Sequence, residues 1–97
     1  MTISSGHLSE EELLSKLAQA HKDVEVGALY VHWRNSKSRY RVTGLAIIDA
    51  TQEVGVLYKK ESGTEVINSM IWVRALSSWL EKASVENIFV PRFQKIG

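Results

Sequence analysis

Cysteine is absent from this 97-residue chain, which excludes disulfides, iron–sulfur clusters and thiolate zinc sites. With no covalent staple, the hydrophobic core must hold so small a domain together unaided. An excess of one charge sign is also lacking. Twelve lysines and arginines against eleven acids leave a formal net charge of +1, and non-specific nucleic-acid binding depends on a larger basic excess. The six glycines nowhere form a phosphate-cradling loop; Gly55 and Gly63 read as turn or bulge glycines. No apolar segment approaches membrane-spanning length, and no basic stretch followed by an apolar run opens the chain. These absences predict a cytoplasmic protein with no membrane partner.

Chemistry-bearing constellations are equally scarce. His7, His21 and His32 fall in a polar tail, a helix and a strand, at no metal-ligating spacing. No serine elbow or acid pair stands near His32, which otherwise has the chemistry of a general base or a pH-sensitive donor. The expectation is no metal, no cofactor and no catalytic residue, and the balance leans away from an enzyme.

What is present is an ordinary globular profile, 44% apolar and 24% charged, of a length that predicts one domain. Met1 to His7 reads as a fraying tail. Ser9 with Glu12 three residues on makes a capping box, Leu8 can staple against Leu13, and Glu10 to Glu12 suit the positive end of a helix dipole. Leu13, Leu14, Leu17, Ala18 and Ala20 form an apolar stripe, so a helix is expected from Ser9 to about His21. Residues 1–23 are a tail and an amphipathic helix; residues 24–97 form one β unit.

From Val24 the period changes to two. Leu29, Val31 and Trp33 alternate with Tyr30, His32 and Arg34. Arg34 to Ser38 reads as a polar hairpin turn, Tyr40 to Ile48 as a second strand and Val54 to Tyr58 as a third. Gly55 is placed for a bulge or close backbone approach. Ile88 to Phe93 reads as a last strand, and Pro91, lacking an amide hydrogen, puts it at an edge or a bulge. Turns about every ten residues favour a mainly β fold, α+β by count. It comprises an N-terminal helix and a small, strongly bent antiparallel sheet or SH3-like partly open barrel of five or six strands.

The stretch Met70 to Glu81 carries two of the three tryptophans and an arginine in one apolar run. As a strand, Ile71, Val73 and Ala75 fall on one side, which suits a core face. Met70, Trp72, Arg74 and Leu76 fall on the other, where an indole and a guanidinium can meet the same object. Ser77-Ser78 can cap a helical turn docked by Trp79 and Leu80. The competing reading is packing: Trp72 covers the open end of a barrel and Arg74 pairs with an acid such as Glu53 or Glu81. A second cluster, Arg34, Lys37, Arg39, Tyr40 and Arg41, lies around the first hairpin. It suits either a phosphate backbone or a charged edge that resists aggregation.

The order Gly27-x-x-Tyr30-x-His32-Trp33, Tyr40-x-Val42, Glu53 with Val56-Leu57-Tyr58, Trp72-Val73-Arg74-x-Leu76, Glu81 and Val90-Pro91-Arg92-Phe93-x-x-Ile96 resembles the small bacterial and phage family known as domain of unknown function 1653. The likeness covers about residues 24 to 97 and omits the helix. It implies a compact small-barrel β domain and no known activity. Ala75 stands where the family usually has proline, and the first hairpin is longer than the family's lysine-glycine turn.

The functional expectation is a non-catalytic binding module that takes a small anionic ligand or peptide. Its face would comprise Tyr30, His32, Tyr58, Trp72 and Arg74. The alternative is a nucleic-acid-binding barrel using the basic hairpin. A monomer or weak homodimer is expected.

Overall fold

The computed structural model describes residues 8–97; the expected tail at Met1 to His7 lies outside the described residues. Helix α1 runs Glu10–Asp23, with Ser9 as its N-cap. The Ser9 hydroxyl accepts from the Glu12 amide at 3.1 Å and the Glu12 carboxylate accepts from the Ser9 amide at 3.3 Å. Such a cap contributes about 1 kcal/mol. Only part of the expected stripe packs inward. Leu13 and Leu17 are half-buried and Ala20 is buried, whereas Leu14 and Ala18 face solvent. The helix touches the sheet along one narrow line, so the outer flank of the stripe stays wet.

Seven strands follow: β1 Leu29–His32, β2 Asn35–Ile48, β3 Glu53–Lys60, β4 Trp72–Ala75, β5 Lys82–Val85, β6 Ile88–Pro91 and β7 Phe93–Lys95. Five form one antiparallel sheet in the order β4-β3-β2-β1-β7, and β5 with β6 forms a separate ribbon. The result is the expected helix and strongly bent, unclosed sheet, with the ribbon as an unforeseen addition. Long β2 supplies the bend through an irregularity between Val42 and Gly44.

Several local expectations are corrected. The first hairpin turns at Trp33-Arg34, and Asn35 already belongs to β2. Side chains make the early turn possible: His32 Nδ1 accepts from the Arg34 amide at 3.2 Å and Asn35 Oδ1 from the Lys37 amide at 3.0 Å. The expected last strand is two, broken at Arg92, with Pro91 on the two-stranded ribbon. Between β3 and β4 the chain also forms a short helix, α2 Glu65–Ser69, capped by Thr64. The helical turn after β4 exists as α3 Leu76–Trp79, but it starts before the serines, so its N-cap is Ala75, which has no side-chain acceptor. Trp79 docks as expected, while Leu80 is largely exposed.

The faces of β4 are the reverse of expectation. Ile71 and Val73 are 63% and 58% exposed, and Trp72 and Arg74 point inward. Register is the cause: Arg74 pairs across β3 with Val56 and Trp72 with Tyr58, and both of those β3 residues are buried. Residues paired in an antiparallel ladder share a face. Val73 packs instead over the outer surface, where a Cβ on Gly55 would lie 2.8 Å from its Cγ2, the close approach read from the sequence.

The core gathers Val24, Ala28, Tyr30, Val42, Val56, Tyr58, Trp79 and Phe93. From α1 and its end come only the small Ala20, fully buried outside this central cluster, and Val24 within it. A chain lacking residues 1–23 is therefore expected to unfold cooperatively at a lower temperature. A truncated chain with no cooperative transition in a circular-dichroism melt would make the helix part of the obligatory core.

Candidate functional site

The two edges of the bent sheet, β4 and β7, are not joined by backbone hydrogen bonds; side chains close the seam. Phe93 at the start of β7 stacks face to face on Trp79 of α3, with centroids 4.0 Å apart and planes 5° from parallel. From β4, the Arg74 guanidinium lies 5.1 Å above the same Phe93 ring. From β1, His32 meets that ring edge-on at 5.3 Å, and from β2 Tyr40 does so at 5.5 Å. Phe93 is thus the hub on which four elements converge.

Arg74 finds no acid. Among the described residues its one side-chain hydrogen bond goes from Nη1 to Ser78 Oγ at 3.1 Å. The expected partners are engaged elsewhere: Glu53 accepts from the Ser77 amide and Glu81 pairs with Arg92 at 3.4 Å. Two side-chain donors are enclosed without any partner, Trp72 Nε1 and Arg74 Nε. Lys60, opposite Tyr40 on β3, sets its ammonium 4.3 Å over the Trp72 ring. An unpaired buried N–H costs about 1–3 kcal/mol, which an incoming acceptor would recover.

The electrostatics are one-sided. Burial comes first among the causes that push the His32 pKa down, followed by the charges of Arg92, Arg74 and Arg34. The arrangement can grip an oxyanion. It holds no group of three or more histidines, cysteines or acids placed for a metal ion among the described residues.

Of the five residues expected on the binding face, His32 and Arg74 both contact Phe93 at this seam, and Trp72 lies two residues from Arg74 on the same face of β4. Tyr30 and Tyr58 lie beneath it as its floor, both buried, with Trp79 packed against each at 5.4 Å. The Tyr30 hydroxyl is committed to the Glu25 amide at 3.0 Å. Sequence reasoning passed over Phe93, Arg92 and Lys60. The signal for the first two was the motif Val90-Pro91-Arg92-Phe93 already quoted; Lys60 carried none.

The basic hairpin does not act as one cluster. Arg41 is bound to Glu61 at 2.9 Å and to the Gly27 carbonyl at 3.0 Å, while Tyr40 points to the seam. Arg34 lies 5.0 Å over Trp33, and Lys37 and Arg39 are exposed. Two surface clefts are lined by neither His32, Trp72 nor Arg74. One, of about 290 Å³ between α1 and α3, has its charged residues engaged: Lys16 reaches the Gln52 carbonyl, and Glu53 the Ser77 amide. The other, of about 450 Å³, separates the ribbon from the Trp33-Arg34 turn.

The fold is a small, partly open antiparallel β-barrel whose β4–β7 seam is lined by aromatic rings and Arg74. The family model for "Protein of unknown function (DUF1653)" matches residues 28–95, and the chain belongs to that family. It is similar to a crystal structure of a DUF1653 protein from Bordetella bronchiseptica. That likeness has a TM-score of 0.63 and 29% identity, over 78% of this chain and 91% of that one. No curated protein matches. No helix among the described residues is long and apolar enough to cross a membrane.

Proposed function

We propose that this protein is a non-catalytic binding module that holds a small anionic ligand, or the acidic part of a peptide, at the β4–β7 seam. The observation that carries this reading is the pair of enclosed, partnerless N–H donors, Trp72 Nε1 and Arg74 Nε, on successive inward positions of β4. Around them stand three further nitrogen bases, His32, Lys60 and Arg92, and among the described residues Glu81 is the one acid that pairs with any of these cations. Arg74 supplies the fork that a carboxylate or phosphate fits. In the basic hairpin Glu61 engages Arg41, so the seam is the reading we favour over that hairpin.

Trp72→Phe tests the reading. Phenylalanine keeps an apolar ring and deletes a donor that has no partner, so stability should hold within about 1 kcal/mol. Affinity for anions should fall. Thermal-shift and calorimetric titrations with phosphate, sulfate, dicarboxylates and acidic peptides would compare the variant with the native chain. Equal affinity in both, or no binding by either at low ionic strength, would sink the proposal.

A further inference from the structure

The β5–β6 ribbon stands off the five-stranded sheet, and its two strands pack chiefly on each other. Register puts Ala83, Val85, Ile88 and Val90 on one face and Ser84 and Phe89 on the other. Both faces are apolar at the tip, where Phe89 is 71% exposed and Ile88 65%. An isolated two-stranded ribbon is marginally stable in water, so these side chains gain from a partner. Glu86 and Asn87 both have positive φ, 51° and 66°, the signature of a tight two-residue hairpin turn. The tip is therefore a preformed knob, and Glu86 puts an acid on it.

Beside this knob lies the cleft of about 450 Å³, lined by Trp33, Val85, Val90 and Pro91 with Arg34 and Gln94. Hydrogen bonds at the ribbon's base hold the two in fixed relation. The Arg92 amide donates to the Glu81 carbonyl at 3.0 Å, and the Trp33 amide donates to the Arg92 carbonyl at 2.9 Å. Knob and cleft carry opposite charges. Glu86 and Arg34 are both exposed, and among the described residues neither forms an ion pair. The Arg34 guanidinium rests over the Trp33 ring at 5.0 Å.

We propose that a second copy of this chain occupies the cleft: two chains pair about a twofold axis, each seating its ribbon tip in the other. This interaction surface is separate from the anion-binding reading and does not depend on it. Ile88 and Phe89 cover the partner's Trp33, and Glu86 meets the partner's Arg34. Because one chain carries both the knob and its oppositely charged socket, the contact is self-complementary and closes at two copies. Only a few apolar residues on each copy are covered, short of the about 800 Å² per partner of a standard interface. The dimer is therefore weak and dissociates on dilution.

Sedimentation of the native chain from about 10 μM to 1 mM tests this, a range that spans weak dimers. The native chain is expected to pass from monomer to dimer as concentration rises. Phe89→Ser, at an exposed position, is expected to weaken association at least about tenfold, the scale of an aromatic anchor. Glu86→Lys sets like charges against each other and is expected to weaken it too. Adding Arg34→Glu to that variant reverses both charges and is expected to restore the dimer. Thermal melts check that each variant is folded; should Phe89→Ser fail that check, the charge reversals decide alone. A native chain that stays monomeric to about 1 mM overturns the proposal, whatever other protein the ribbon takes. So does a dimer that Glu86→Lys leaves intact, or one that the double reversal does not restore.

Discussion

Trp79→Ala is expected to remove about 3–5 kcal/mol of stability, the range measured for aromatic-to-alanine changes in packed cores. Trp79 is 2% exposed and is where the barrel closes. Its indole stacks on Phe93 from β7 and meets Tyr30 from β1 and Tyr58 from β3. Alanine would therefore open a cavity beneath the seam where side chains join the sheet's edges. A domain of this size has a total stability of about 5–15 kcal/mol, and each kcal/mol moves Tm by roughly 4–8 °C. A fall in Tm of at least about 12 °C, or loss of a cooperative transition, should follow in a thermal or urea melt. Val66→Ala is the control, because Val66 is exposed on α2 and should cost no more than about 0.5 kcal/mol. If both variants melt alike, the aromatic stack does not close the barrel.

The second large effect is expected in binding rather than folding. Because Arg74 has no carboxylate partner among the described residues, Arg74→Ala strands no buried acid. That contrasts with the several kcal/mol that breaking a buried ion pair costs. What is lost is one hydrogen bond to Ser78 and the contact over Phe93, about 0.5–1.5 and 0.5–1 kcal/mol respectively. Arg74→Lys keeps the charge but loses the fork and the planar face. Its Tm should stay within a few degrees of the native chain. Affinity for phosphate or sulfate should nonetheless weaken by about 1–3 kcal/mol in Lys, and by at least as much in Ala. Melting and calorimetry on the same two proteins separate the roles. A large loss of stability with unchanged affinity would make Arg74 a packing residue.

The charge pattern gives these two experiments different meanings. Trp79 acts through shape, so its effect is insensitive to salt. The seam acts through cations, and its binding should weaken as ionic strength rises, less so for the enclosed donors than for half-buried Lys60 and Arg92.

How far the sequence alone went follows from which interactions are local. The α1 capping box links Ser9 and Glu12, three residues apart, and it formed as read. Period-two alternation located β1, β2 and β3, and positioned Gly55 against a neighbouring strand. The ordered motifs from Tyr30 to Phe93 carried the family, and with it the small-barrel fold. These signals all sit within a few residues of one another or in the linear order of short motifs.

The inward face of β4 is a different matter. Ile71-Val73-Ala75 and Trp72-Arg74-Leu76 are both apolar enough to face a core, and hydrophobicity alone favours the set without the arginine. Pairing with Val56 and Tyr58 chose the other. The same holds for Phe93, which became the hub only because the bend of β2 brought β7 opposite β4. Arg74 was free to lie over that ring because Glu81 turned to Arg92 and Glu53 to the Ser77 amide. Sequence by itself therefore determined the elements, their order and the residue types available to a binding face. Register and bend, which couple residues tens of positions apart, decided which of those residues meet, since a one-residue slip in a strand sends every side chain to the opposite face.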